Sequence, residues 1–127
     1  MKSILLVEDS KFLQRATERI LQKAGYSVTT AADGEEAVRI ATTEAPDLIL
    51  LDMLLPKLSG TDVLHALRAC EVTANIPVIV LSGLSQKNEA KLINEGANAY
   101  VEKSRIDLRY DSLLEIVKRT LEHSTES

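Results

Sequence analysis

The run Leu48-Ile49-Leu50-Leu51-Asp52, introduced by Pro46-Asp47, decides how this chain folds. Four apolar residues stand in succession without the in-out alternation of a half-buried strand, so the segment needs cover on both faces. It ends abruptly in a carboxylate. Outward from it, Ile4–Val7 runs into Glu8-Asp9 and Val78–Leu81 runs into Ser82, the same arrangement twice more. With two further segments this predicts strands near Ser3–Val7, Ser27–Ala31, Leu48–Leu51, Val78–Leu81 and Ala99–Val101. Amphipathic stretches predict helices near Ser10–Lys23, Glu35–Glu44, Thr61–Ala69, Gln86–Glu95 and Leu113–His123. Asp33-Gly34-Glu35-Glu36 and Ser112-Leu113-Leu114-Glu115 read as capping boxes, while Gly25 and Gly96 read as helix stops. Strict alternation of strand and helix implies right-handed crossovers and a parallel sheet covered on both sides. The fold class expected is α/β, a doubly wound (βα)5 flavodoxin-like sheet of order 2-1-3-4-5.

The composition suits one domain. The chain has 127 residues, 45% hydrophobic and 27% charged, enough to bury a core without disulfides or metal staples. Its apolar runs are strand-sized, far short of the roughly 20 residues that span a bilayer. No signal peptide is visible, and the single cysteine, Cys70, rules out an internal disulfide, so a reducing cytoplasm is the expected setting. A net charge of −4 argues against direct binding of nucleic acid. The expected domain is 1–123, with 124–127 a loose tail, either standing alone or belonging to a longer chain.

In doubly wound sheets, ligands bind beyond the carboxyl ends of the strands, near the point where strand order reverses. Glu8 and Asp9 follow the first strand, Asp52 the third, Ser82 the fourth and Lys103 the fifth. Each alone has an ordinary explanation as a cap, turn or surface residue. Together they place three carboxylates in one small volume, a hydroxyl donor beside them, and a lysine that can reach in. Uncompensated, three carboxylates repel one another, and a hard dication removes the conflict. A nucleophilic carboxylate, a metal and two donors for extra anionic oxygens are the parts needed to move a phosphoryl group onto an aspartate.

From end to end the chain resembles a CheY-like response regulator receiver domain. The resemblance rests on Leu5-Leu6-Val7-Glu8-Asp9-Ser10, on Pro46 to Met53 with Pro56 and Gly60, and on Gly96-Ala97-Asn98-Ala99-Tyr100-Val101-Glu102-Lys103. It implies that Asp52 is the phosphoacceptor in a two-component phosphorelay, and that Mg2+ (or Mn2+) is the cofactor. It implies Asp9 as a direct metal ligand, Glu8 acting mainly through water, and the Leu54 backbone carbonyl as a further ligand. Ser82 corresponds to the switch hydroxyl, Tyr100 to the aromatic that turns inward on activation, and Lys103 to the lysine that pairs with acceptor and phosphoryl oxygens. The implied partners are a sensor histidine kinase or histidine phosphotransfer protein, and a downstream protein on the face built by the fourth helix, fifth strand and fifth helix. Such a domain is a signalling phosphoacceptor that assists its own phosphorylation and slow dephosphorylation rather than an enzyme.

Four positions depart from the family pattern. Ser104 stands where a proline usually follows the lysine, and without that proline a trans peptide bond is expected. Gly83 replaces a common alanine. Leu54 and Leu84 occupy positions that are often polar. The alternative reading is a pseudo-receiver that binds partners without phosphorylation; a phosphohydrolase is disfavoured because Leu54 cannot serve as its second acid, and a flavodoxin because acids stand where a phosphate cradle is needed. His65, His123 and Cys70 read as structural or surface residues. Leu13, Ala16, Thr17, Ile20 and Ala24 are expected to form the inward stripe of the first helix. Phe12 falls outside that stripe, a turn from the acids, where it is a candidate for partner docking.

Overall fold

A computed structural model describes residues 2–52, 60–82, 96–102 and 110–126. Five strands, β1 (Ser3–Val7), β2 (Ser27–Ala31), β3 (Leu48–Asp52), β4 (Val78–Ser82) and β5 (Ala99–Glu102), form one parallel sheet of order β2-β1-β3-β4-β5. The expected order is therefore the one found. Described helices are α1 (Lys11–Lys23), α2 (Gly34–Glu44), α3 (Gly60–Ala69) and α4 (Tyr110–Glu126). The helix expected at Gln86–Glu95 lies outside the described residues.

The unbroken apolar runs are explained by cover on both sides. Leu5, Val7, Ile49, Leu51, Val78 and Val80 pack against Ala37, Ile40 and Ala41 of α2 and Val63, Leu64 and Leu67 of α3. The alternate residues Ile4, Leu6, Leu48, Leu50, Ile79 and Leu81 pack against Leu21 of α1 and Leu113, Val117 and Leu121 of α4. Edge strand β2 is the exception, with Ser27 exposed and Val28, Thr29 and Thr30 half-buried.

Local chemistry sets most boundaries. Ser10 caps α1, its hydroxyl accepting from the Leu13 N–H. At the other end Gly25 takes φ +98°; its N–H donates to Gln22 O at 3.0 Å, and that of Tyr26 to Leu21 O at 3.1 Å. This paired closure needs the left-handed conformation that glycine adopts cheaply. Asp33 caps α2 by accepting from Glu36 N–H at 2.9 Å, as one half of the expected box requires. The second box is corrected. α4 begins at Tyr110, so Ser112 lies inside its first turn, and the helix continues to Glu126, beyond the expected end at His123. The stripe on α1 is corrected too. Thr17 and Leu21 are its buried residues, whereas Ala24 is the exposed cap, because the arc facing the sheet centres on Leu13, Thr17 and Leu21 rather than one step around.

At the amino edge of the sheet an unforeseen arginine fastens three segments. The Arg68 guanidinium donates to the carbonyls of Thr73, Ala74 and Ile76 at 3.3, 3.1 and 2.7 Å. It also donates to Gly96 O at 3.0 and 2.8 Å and to Asn98 Oδ1 at 3.0 Å. Asn98 Oδ1 in turn accepts from Val78 N–H at 2.9 Å. The end of α3 and the starts of β4 and β5 are thus held by one planar fork. A Cβ on Gly96, which has φ +117°, would lie 2.9 Å from Arg68 Cγ, so this approach requires glycine.

Candidate functional site

The sheet register builds the site. Val7 pairs with Leu51 and Asp52 with Leu81, so one further step along β1 sets Glu8 level with Asp52. Glu8 N–H donates to Ala31 O at 3.0 Å, which prolongs the ladder to β2 by that one residue. By the two-residue period of a strand, Glu8 and Asp52 belong to the series Ile4-Leu6 and Leu48-Leu50, on the side of α1 and α4. Both are almost wholly buried, at 2% and 1% exposure, while Asp9, where β1 passes into α1, is exposed.

The turn carrying the acids is fastened by the residues after it. Ser10 N–H donates to Glu8 Oε2 at 3.2 Å, and Gln14 Nε2 donates to Glu8 O at 3.0 Å. Sequence reading missed Gln14; its only signal is its place one helical turn after the N-cap. One carboxylate oxygen from each of Glu8, Asp9 and Asp52 lies within 4.8 Å of the others. Like charges that close, two of them removed from water, need a counter-charge. Three hard oxygen donors with one open side suit magnesium, which accepts a few carboxylates and retains water.

Ser82 is the last residue of β4, opposite Glu102 of β5, and Tyr100 pairs with Val80 further down. Their backbones place them along these strands. Lys103, Leu54, Gly83, Leu84 and Ser104 lie outside the described residues. Phe12 is 81% exposed on α1, His65 is exposed on α3, and Cys70 is half-buried. Among the described residues, no helix is long and apolar enough to cross a membrane.

A parallel five-stranded sheet with an acidic cluster at the carboxyl ends of its first and third strands defines the class of CheY-like doubly wound domains. Comparison with known proteins narrows it. Residues 4–118 match the family described as the response regulator receiver domain. The chain is 39% identical over 103 residues to the alkaline phosphatase synthesis transcriptional regulatory protein PhoP of Bacillus subtilis, covering 80% of this chain and 42% of that protein. Among solved structures, it is similar to the CheY-like receiver domain protein of Methanospirillum hungatei JF-1, with TM-score 0.87, 31% identity and coverage of 99% and 98% of the two chains. It is also similar to the receiver domain of sensor histidine kinase PA1611 of Pseudomonas aeruginosa PAO1, with TM-score 0.85, 34% identity and coverage of 94% and 97%. That structure has a magnesium ion coordinated in its active-site cleft. This chain belongs to the response regulator receiver domain family of two-component systems. It spans less than half the length of the first curated relatives it matches.

Proposed function

We propose that this receiver is a phosphorylation switch: it accepts a phosphoryl group on Asp52 from a phosphohistidine of a sensor histidine kinase or histidine phosphotransfer protein. The observation that carries this reading is the buried Asp52 carboxylate within 4.8 Å of Glu8 and Asp9 at the sheet's carboxyl edge. Asp9 and Asp52 would hold Mg2+ (or Mn2+) directly, with the Leu54 carbonyl, and Glu8 through water. The bound cation supplies the positive charge that lets an anionic donor approach three carboxylates.

An Asp52 carboxylate oxygen attacks phosphorus in line with the bond to the donor imidazole. The new O–P bond forms as the N–P bond breaks, and the released imidazole takes up a proton from water. Most of the catalysis is positioning, which the fastened turn from Glu8 to Gln14 provides for the acids. Ser82 and Lys103 would bind the transferred oxygens. The added charge then draws Ser82 and Tyr100 inward and changes the face built around β5 and α4, where a downstream partner binds. The switch works in the cytoplasm, and any nucleic-acid binding in the pathway belongs to another domain or protein.

Intact mass after incubation with acetyl phosphate and Mg2+ tests this. Wild type is expected to gain one phosphoryl group, and Asp52→Asn or wild type in excess chelator none. Equal labelling of Asp52→Asn sinks the assignment.

A further inference from the structure

The link between Glu8 and Asp9 decides whether the third carboxylate stands beside the other two. Glu8 is the last residue of β1 that the sheet holds: its N–H donates to Ala31 O at 3.0 Å, and the pairing of β1 with β3 ends one residue earlier, at Val7. Beyond it comes Asp9, exposed, its side chain making no hydrogen bond to a described residue. Ser10 then caps α1. Between the strand and the helix, the Glu8 carbonyl is met by Gln14, whose side-chain Nε2 donates to it at 3.0 Å across six residues. Gln14 is half-buried, and its own N–H donates to Ser10 O at 2.8 Å as the first turn of the helix closes. A peptide unit is planar, so with the Glu8 N–H held, the direction of the Glu8 C=O fixes where the Asp9 Cα stands. The sheet thus secures the chain as far as Glu8, and Gln14 carries that order one residue further.

Helix formation asks for none of this. The Ser10 hydroxyl already accepts from Leu13 N–H, and the reciprocal bond of a capping box would come from an acceptor at position 13, reaching back to the Ser10 N–H. That N–H is taken instead by Glu8 Oε2 at 3.2 Å. Gln14 stands one place later, donates where a capping side chain accepts, and reaches past the cap to a residue outside the helix. We propose, on the reading of the acidic cluster as the Mg2+ site, that Gln14 is a positioning residue for the cation. By holding the Glu8–Asp9 peptide it keeps the Asp9 carboxylate within 4.8 Å of those of Glu8 and Asp52 before any ion arrives. A ligand already in place loses little freedom on coordination, and the saving appears as affinity. Acting only through Asp9, Gln14 governs how much Mg2+ is needed and leaves the transfer step itself alone once the ion saturates.

Two variants of the whole chain test this. Gln14→Met keeps the length of the side chain and removes the donor, while Gln14→Asn keeps the amide and falls short of Glu8 O. Calorimetric titration with Mg2+ should give a dissociation constant roughly tenfold weaker in both. Labelling by acetyl phosphate should need roughly tenfold more Mg2+ to reach half its maximal rate, the maximal rate staying within about twofold of wild type. In the Asp9→Ala background, Gln14→Met should weaken Mg2+ binding no further, because the ligand it positions is gone. Hydrogen exchange in chelator, where no ion contributes, should quicken at the Asp9 and Ser10 amides and stay unchanged in β3. Wild-type Mg2+ affinity in both variants, a lowered maximal rate that saturating Mg2+ does not repair, or a full further loss in the Asp9→Ala background overturns the proposal. A lower Tm in chelator with Mg2+ affinity kept also overturns it, since that is the mark of a residue that only supports the fold. Wild type separates the two readings: if it binds no Mg2+, the metal site fails and the proposal with it, whereas binding by wild type and variants alike removes the proposal alone.

Discussion

Single residues show where this chain trades stability for position. Ala45, which closes α2, is the only described non-glycine residue with positive φ, at φ 45° and ψ 65°. An L-residue there brings its Cβ close to the following carbonyl, at a cost of about 1–2 kcal/mol. The conformation is nevertheless needed, since the chain must leave α2, pass Pro46 and reach Asp47, whose carboxylate accepts from Ser3 N–H at 2.8 Å and so starts β3 beside β1. Ala45→Gly should relieve the strain, partly offset by the greater freedom glycine gives the unfolded chain, for a net gain of about 0.5 kcal/mol. Urea unfolding measures this; a lower midpoint for the glycine variant would show that the left-handed cap is not strained. The acids differ among themselves as well. Asp9 is exposed and Glu8 is buried and tied to Ser10 N–H, so magnesium affinity should fall more in Asp9→Ala than in Glu8→Ala. Equal losses by calorimetry would mean that both bind the ion alike.

At the scale of elements, Arg68 joins parts of the chain that sequence reading left separate. Its acceptors are five oxygens drawn from the turn after α3 and from the approach to β5, and burial pulls its guanidinium below its ordinary pKa without a carboxylate to offset the loss of water. A lysine cannot serve both sides of that fork, because its ammonium lacks the planar spread of donors. Arg68→Lys and Arg68→Met should therefore destabilise to a similar extent, about 2–3 kcal/mol, and hydrogen exchange should rise around Gly96 and Asn98 in both. Full rescue by lysine would mean that charge, not shape, holds the junction. Nothing in the sequence marks this arginine, since its partners are four backbone carbonyls and one asparagine side-chain oxygen that become neighbours only once β4 and β5 pair. The strands were readable for the opposite reason: burial on both faces writes itself as an apolar run, and Leu48–Leu51 carries it with no help from distant residues. The ends of α4 were misread because Ser112 and Glu115 have capping spacing, while the helix starts a turn earlier. The carboxylates were legible because a polar residue ending an apolar strand stands at the sheet's edge whatever the loops do.

Taken as one molecule, the domain would tie its global stability to a cation bound at its acidic cluster. β1 and β3 lie at the centre of the sheet, and the two buried acids sit at their ends, so whatever binds the acids acts on the strands whose side chains supply both hydrophobic layers. A cation that binds only the folded arrangement stabilises it by mass action, by about 2.7 kcal/mol at a hundred times its dissociation constant. For a domain of this size that corresponds to a rise of roughly 10 °C in Tm. Thermal unfolding in chelator and at increasing Mg2+ should show that rise for wild type, with a logarithmic dependence on Mg2+ above the dissociation constant. Asp52→Asn would remove one ligand of the proposed ion, so it should respond far less to Mg2+ than wild type. Asp9→Ala should also lose the response, whereas Arg68→Met, which weakens the opposite edge, should begin lower and keep the full Mg2+ increment. An increment of equal size in Asp52→Asn would place the ion elsewhere, and a Mg2+-independent Tm in wild type would mean that the three carboxylates are neutralised from within the chain.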